Sequence, residues 1–375
     1  MKNNADLKDI AKLFLKLGII GFGGPAVHIA MMQEEVVRKR KWLSKEKFLD
    51  LLGATNLIPG PNSTEMAIHI GYEKAGWKGL ITAGLCFILP AVSITGVFAW
   101  LYKNYGQLPD VQPFLYGIKP AIIVIILAAI FPLAKKSVKS TELALIGLVV
   151  LVFSLLNFSE IYLLFGAGLA AAARVLITDK TGKLHNFVPL LVTQINSTPI
   201  FSAVNSNLFW IFLKIGAILY GSGYVLFAFL DTELVATGML SRQQLIDAIA
   251  VGQFTPGPVF SSVTFIGYQI SGLQGAAVST IAIFLPSFVF VALLSPMVRI
   301  MRNSTMFSIF LDAVNVASVA IIIAVCFEMG KDSLTDWRTI LIALLSSILL
   351  LSFRKINSIF IVLGGSFFGY LLSFF

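Results

Sequence analysis

Apolar runs of about 20 residues, the length a helix needs to cross a hydrocarbon core, alternate along the chain with short polar connections. In the first half these runs cover 10–31, 48–72, 80–102, 114–133, 142–157 and 161–177, and the second half repeats the order. The run 48–72 is interrupted by Pro59-Gly60-Pro61, which removes two backbone donors and ends any helix there. It is therefore expected to form two half-length helices in a re-entrant hairpin. Backbone of this kind is tolerated at membrane depth only where it is buried in protein or lines a polar cavity. The breaks Gly21-Phe22-Gly23-Gly24-Pro25 and Gly221-Ser222-Gly223 carry the same implication.

The order of runs reflects an internal duplication. Phe14-Leu15-Lys16-Leu17-Gly18 recurs as Phe212-Leu213-Lys214-Ile215-Gly216, Asp50 recurs as Asp247, and Pro59-Gly60-Pro61 recurs as Pro256-Gly257-Pro258. Ile70-Gly71-Tyr72 returns as Ile266-Gly267-Tyr268, Gly76 and Gly79 as Gly272 and Gly275, Leu89-Pro90 as Leu285-Pro286, and Lys135 as Lys331. The chain thus divides into a repeat over 1–177, a polar cytoplasmic linker over 178–205, and a second repeat over 206–375. The fold expected is an all-α polytopic membrane protein, each repeat holding about five transmembrane helices plus one re-entrant Pro-Gly-Pro hairpin. An odd number of crossings inverts the second repeat relative to the first.

Composition agrees: 57% of the 375 residues are hydrophobic and 13% are charged, about half the usual charged share. That leaves no room for a large extramembrane module. The formal net charge of +9 sits in short loops, the pattern that sets topology rather than one that binds nucleic acid. One orientation places Arg38-Lys39-Arg40-Lys41, Lys135-Lys136, Lys180, Lys183, Arg299, Arg302 and Arg354-Lys355 on the cytoplasmic face. The two cysteines, Cys86 and Cys326, lie inside apolar runs and suggest no disulfide framework. No removable signal peptide is read at the N-terminus.

Inverted repeats with broken helices are the build of many secondary transporters. Pro61 and Pro258 would each start a half-helix whose N-terminus points into the protein, offering free backbone donors and about half a positive charge to an anion. Asn62, Ser63 and Thr64 would add side-chain donors in one repeat, Ser261 and Ser262 in the other. Gly23, Gly24, Gly60, Gly221, Gly223 and Gly257, with Pro59, Pro256 and Ser222, complete a symmetric substrate site. Lys16 and Lys214 occupy equivalent intramembrane positions and either bind the anion or snorkel to the interface. Glu65 and His69 share one helix face and have no titratable counterpart, so Glu65, with His69 and the weaker candidate Glu328, is assigned to proton coupling. No metal-ligand spacing, His-Glu-x-x-His or phosphate loop occurs. The chain is read as a non-enzyme with no cofactor, its partners a small oxyanion and the lipid bilayer, with a homodimer compatible with the sequence.

Phe22-Gly23-Gly24-Pro25-x-x-His28, Trp42, Pro59-Gly60-Pro61, Gly76-Trp77 and Phe87-Ile88-Leu89-Pro90 resemble the chromate ion transporter family. The second-half pattern of that family is present in Tyr220-Gly221-Ser222-Gly223-Tyr224-Val225, in Gly252 to Pro258, and in Phe284-Leu285-Pro286-Ser287-Phe288. The resemblance implies a two-domain, multi-pass transporter of the inner membrane. It would export chromate, with sulfate as a structural analogue, driven by protons or the membrane potential. A passive anion channel is the alternative.

Overall fold

The computed structural model describes residues 7–22, 24–178, 203–220, 223–294, 304–353 and 356–374. Every regular element among them is helical. The first repeat contains α1 (Leu7–Ile20), α2 (Pro25–Gln33, continued by a wider turn over Glu34–Lys39), α3 (Lys45–Thr55), α4 (Asn62–Tyr105), α5 (Gln112–Ser137), α6 (Thr141–Leu155) and α7 (Glu160–Thr178). The second contains α8 (Ala203–Ile218), α9 (Val225–Leu230, continued over Asp231–Val235), α10 (Arg242–Phe254), α11 (Ser262–Leu294), α12 (Thr305–Ser333), α13 (Trp337–Ser352) and α14 (Ser358–Leu372). Equivalent residues start equivalent helices. The Ser44 hydroxyl accepts from the Lys47 amide to cap α3, and Ser241 does the same for Gln244 in α10. Each cap satisfies one of the amides that a helix start leaves free.

The expected single span over 10–31 is two helices that fold back on each other. Lys16 Nζ lies 3.0 Å from Glu35 Oε1, whereas a continuous helix would hold these residues about 28 Å apart. The chain therefore reverses between Ile20 and Pro25, where Gly24 has φ +81° and Pro25 opens α2; glycine supplies the left-handed geometry and proline the first helical position. Lys214 Nζ and Glu233 Oε1, 2.5 Å apart, report the same reversal between α8 and α9. A second hairpin turns at Pro59-Gly60-Pro61, with Lys47 on α3 reaching Glu73 on α4 at 2.8 Å.

A third reversal divides α4 itself. Ala75 (φ −140°) and Gly76 (φ +58°) leave helical geometry, separating an arm over 62–74 from an arm over 77–105. A Cβ on Gly71 would strike the Gly79 carbonyl and come within 2.6 Å of Ala83 Cβ, so the two arms cross at glycine. In α11, Ser271 and Gly272 (φ +61°) repeat this break, and Gly267 meets Gly275. Among the described residues, each repeat thus holds two short helical hairpins followed by the long arm of α4 or α11 and three further helices, where one hairpin was expected.

The central helices α5 and α12 run antiparallel. Tyr116 donates to Asp336, the Cys326 thiol approaches the Ile123 carbonyl at 3.9 Å, and Lys139 pairs with Asp312 at 2.7 Å. As one sequence rises the other falls, so the repeats have opposite senses. One end of the bundle is basic, with Arg38, Lys39, Arg40, Lys139 and Arg174. The other gathers Glu160, Asp231, Glu233, Asp332 and Asp336. The Arg174–Glu142 pair places the end of α7 beside the start of α6, at the basic end. Asn205 bonds Gln274, which places the start of α8 at the acidic end. Of the expected cytoplasmic linker over 178–205, Thr178 ends α7 and 203–205 open α8, and 179–202 lie outside the described residues.

Four helices among the described residues are long and apolar enough to cross a membrane, those covering Asn62–Tyr105, Gln112–Ser137, Val259–Leu293 and Met306–Ser333. Outer helices keep apolar side chains unburied, as with Leu145 and Leu148 on α6 and Leu344 and Ile348 on α13. In water such a surface would be costly; against lipid it costs nothing. At the α5–α14 contact, Gly117 meets Gly365 and Gly369, the small-residue packing that lets membrane helices approach closely.

Candidate functional site

The two Pro-Gly-Pro turns sit at the interface between repeats, each bonded to the other repeat. The Gly60 amide donates to the Leu219 carbonyl at the end of α8, and the Gly257 amide donates to the Gly21 carbonyl at the end of α1, both at 2.8 Å. His28 Nε2 also donates to Gly21, at 2.8 Å. Such reciprocal contacts define a pseudo-two-fold relation. Both glycines have left-handed φ, +132° and +89°, and both are closely surrounded. A Cβ on Gly60 would collide with Glu65 Oε1 and lie 2.8 Å from Ser287 Oγ; on Gly257 it would lie 3.0 Å from Ala91 Cβ.

A cavity of about 270 Å³ opens beside the first turn. Asn56, Ile58 and Asn62 line its inner end, with Tyr220 from the end of α8. Lys136, Ser137 and Lys139 at the end of α5 line its outer end, at the basic face. Its remaining wall joins the polar stripe Ser308, Asp312, Asn315 and Ser318 on α12 to the apolar Leu57, Leu133, Leu311, Val319 and Ile322. The Asn62 side-chain amide donates to Asn56 Oδ1 at 3.0 Å, and the Ser318 hydroxyl donates to the Tyr220 carbonyl at 3.2 Å. Lys139 is neutralised by Asp312, while Lys136 has no ion pair among the described residues. A free ammonium at the mouth and the N-terminus of α4 at the floor give the cavity a positive field. Its donors suit a small anion.

One turn beyond Pro61, Glu65 is fully buried, and its carboxyl has Ser287 as its one polar neighbour among the described residues, short of normal hydrogen-bond geometry. Thr64 Oγ1 and both ring nitrogens of His69 have no hydrogen bond among the described residues. Buried polar atoms are normally bonded, so this cluster behind the cavity floor is unusual. Across the pseudo-symmetry, Ser261 and Ser262 are also buried; Ser261 accepts from Thr95 at 3.3 Å, and Ser262 is unbonded. Pro256, Gly257 and Pro258 are buried in protein, away from the cavity.

Several expected site residues lie elsewhere. Lys16 and Lys214 are held by Glu35 and Glu233 in the first hairpin of each repeat, and neither lines the cavity. Glu328 sits partly exposed, 2.9 Å from Lys331, in place of a buried intramembrane position. Ser63 is buried in the first turn of α4, Gly24 has open space around it, and Gly223 packs 3.7 Å from the Phe260 ring. Gly23, Gly221 and Ser222 lie outside the described residues. Sequence reasoning missed Asn56, Lys136, Tyr220, Asn315 and Ser318 as cavity residues. The polar positions 308, 312 and 315 within an apolar run, spaced for one helix face, were the available signal.

The described residues hold no cluster of three or more His, Cys, Asp or Glu side chains able to bind a metal. The chromate transporter family matches over residues 8–172 and again over 206–370. A chromate transport protein of Cupriavidus metallidurans is 32% identical over 97% of this chain and 92% of its own length. A probable chromate transport protein of Synechococcus elongatus is 32% identical over 91% of this chain and 89% of its own. An uncharacterised transporter of Methanocaldococcus jannaschii is 27% identical over 99% and 96%. No solved structure matches the fold. The doubled match falls on the two antiparallel repeats, each with its own Pro-Gly-Pro turn, and the chain belongs to the chromate transporter family.

Proposed function

We propose that this chain is a secondary transporter that moves chromate, or a tetrahedral oxyanion of the same shape such as sulfate, out of the cytoplasm across the inner membrane. The observation that carries the reading is the polar cavity at the basic end, with unpaired Lys136 at its mouth and the α4 N-terminus at its floor. The positive-inside rule assigns that end to the cytoplasm, so the cavity faces the compartment from which an exporter loads. The two hairpins of each repeat are re-entrant, and the repeats are inverted about an axis in the membrane plane, the arrangement that supports rocking transporters.

Glu65 couples substrate to protons. An ionised Glu65 behind the floor repels a dianion and is itself an uncompensated buried charge, costing several kcal/mol; a protonated Glu65 removes both penalties. Oxyanion and proton therefore favour each other's binding, a linkage that is reciprocal. His69, four residues on and equally buried, is the group placed to pass the proton along the same arm. One proton carried with a dianion leaves a net negative charge, and the membrane potential drives its export, because moving negative charge toward a positive exterior is downhill.

Accumulation decides between a coupled transporter and a passive channel. Purified protein in proteoliposomes is expected to concentrate radiolabelled chromate above the external level when a potential or pH gradient is imposed. Flux that only equilibrates chromate would establish the channel instead.

A further inference from the structure

The cavity has a mirror image that is closed. In the register fixed by Lys135 and Lys331, cavity residues Asn315 and Asp312 on α12 correspond to Lys119 and Tyr116 on α5, and Ser318 corresponds to Ile122. Asn56 corresponds to Gln253, and exposed Asp50 to Asp247. At the basic end the first set of residues surrounds open space. At the acidic end two of their counterparts are packed away: Ile122 is fully buried, and Asp247 is 2% exposed, accepts from the Tyr102 hydroxyl at 2.6 Å, and accepts from Gln243 Nε2 at 3.1 Å. Tyr102 belongs to the long arm of α4 and Asp247 to α10, so this bond ties one repeat to the other. Gln269 donates to the Ala99 carbonyl at 2.9 Å nearby, a second tie across the same seam.

Two features suit the closed region to an anion rather than to plain packing. Lys119 is a half-buried cation two turns inside the apolar helix α5, which packs against the α10 that carries Asp247. The buried Gln253 side-chain nitrogen reaches only toward Tyr224, short of normal hydrogen-bond geometry, and a donor so poorly matched gains by taking a better acceptor. We propose that Tyr102 and Asp247 are the gate of a second vestibule at the acidic end, and that Lys119 and Gln253 receive the oxyanion there once the gate opens. This rests on the transporter reading above. When the repeats exchange conformations, Asn315 and Asp50 close over the first cavity as Lys119 and Asp247 now close the second. Asp247, released from Tyr102, then competes with the oxyanion for Lys119 and promotes its release. Asp332 stands where the loading side has Lys136, so the exit carries no matching cation to draw the anion back.

Side-specific thiol labelling tests the gate without any substrate. In a Cys86→Ser, Cys326→Ser background, a single cysteine replaces Ile122, which is fully buried, or its counterpart Ser318. Tyr102→Phe removes the bond and keeps the ring. It is expected to raise labelling at position 122 from the acidic-end side about tenfold and to lower labelling at 318 from the basic-end side, as one population shifts to the other. No change at 122, or a rise at both positions, overturns the gate. Lys119 is tested by chromate flux: Lys119→Gln is expected to lower the maximal rate about tenfold with little change in half-saturating cytoplasmic chromate, and Lys119→Arg to restore it. An unchanged rate in Lys119→Gln overturns its assignment. A protein that labels as expected but moves no chromate would sink the transporter reading and leave the gate standing.

Discussion

The Gly60 amide crosses the boundary between repeats to reach the Leu219 carbonyl, 2.8 Å away. Gly257 and Gly21 make the same contact in the other direction. Each helix end therefore has its free carbonyl satisfied by the other repeat's Pro-Gly-Pro turn, which explains how irregular backbone can lie inside a membrane protein without unpaired groups. The turn is a joint between repeats as well as a place where a helix stops.

This joint makes Gly60 intolerant of a side chain. Gly60→Ala adds a methyl at φ +132° against Glu65 and Ser287, combining backbone strain with a clash; each is worth about 1–3 kcal/mol. Purified Gly60→Ala is expected to melt earlier and to lose chromate flux. Gly53→Ala, on α3 with open space around it, serves as the control and is expected to match wild type in both assays.

The two lysines repeated across the halves stabilise hairpins. Lys16→Met is expected to leave half-saturating chromate within about twofold of wild type, and to cost no more than about 1 kcal/mol of stability because the pair with Glu35 is partly exposed. Glu35→Gln, which also leaves Lys39 and Arg40 without their carboxylate, should melt earlier than Lys16→Met. A tenfold rise in half-saturating chromate for Lys16→Met would return this lysine to the substrate path.

Lys136 carries the opposite expectation. A hydrogen bond to a charged group contributes about 1.5–3 kcal/mol, so Lys136→Gln is expected to raise half-saturating chromate roughly tenfold or more. Titration of chromate-dependent flux from the cytoplasmic side measures it. Lys135→Gln, outside the cavity lining, should have a much smaller effect.

At the acidic end, Asp336 caps α13, accepting from the Arg338 and Thr339 amides at 3.0 and 2.9 Å and from the Tyr116 hydroxyl. The Tyr116 bond, followed by the Thr339 amide, holds this carboxyl below its ordinary value of 3.8. A carboxyl depressed by folding contributes stability that is complete above its unfolded pKa and is lost as pH falls through the lower folded one. The melting-temperature difference between wild type and Asp336→Asn is therefore expected to be constant near neutrality and to shrink only below about pH 4. A difference that grows on acidification would contradict the assignment.

The duplication, the helical class and both Pro-Gly-Pro breaks were legible because proline and glycine act locally, through a missing amide and a permitted φ, whatever the surroundings. The reversal at Gly21–Pro25 was legible as a break but not as a hairpin. What folds α1 back onto α2 is the packing of Leu13, Phe14 and Leu17 with Met32 and Val36 in one buried cluster, with the Lys16–Glu35 pair beside it, all contacts between residues far apart in sequence. The same limit explains Lys16 and Lys214: an intramembrane lysine reads equally as an anion ligand or a snorkelling cation until its carboxylate partner is located. The cavity was least legible, since its wall comes from Asn56, Lys136, Tyr220 and Asn315 on four separate elements. Only the antiparallel packing of α5 against α12 brings them together.

Proton movement coupled to the oxyanion is the most direct test of Glu65. Proteoliposomes carrying an internal pH indicator and an imposed chromate gradient, with the membrane potential clamped, report whether chromate flux drives protons. Wild type is expected to change internal pH in step with chromate movement, and Glu65→Gln to move chromate with no pH change. If Glu65→Gln moves protons with chromate as wild type does, or if wild type moves chromate without protons, Glu65 is not the coupling group.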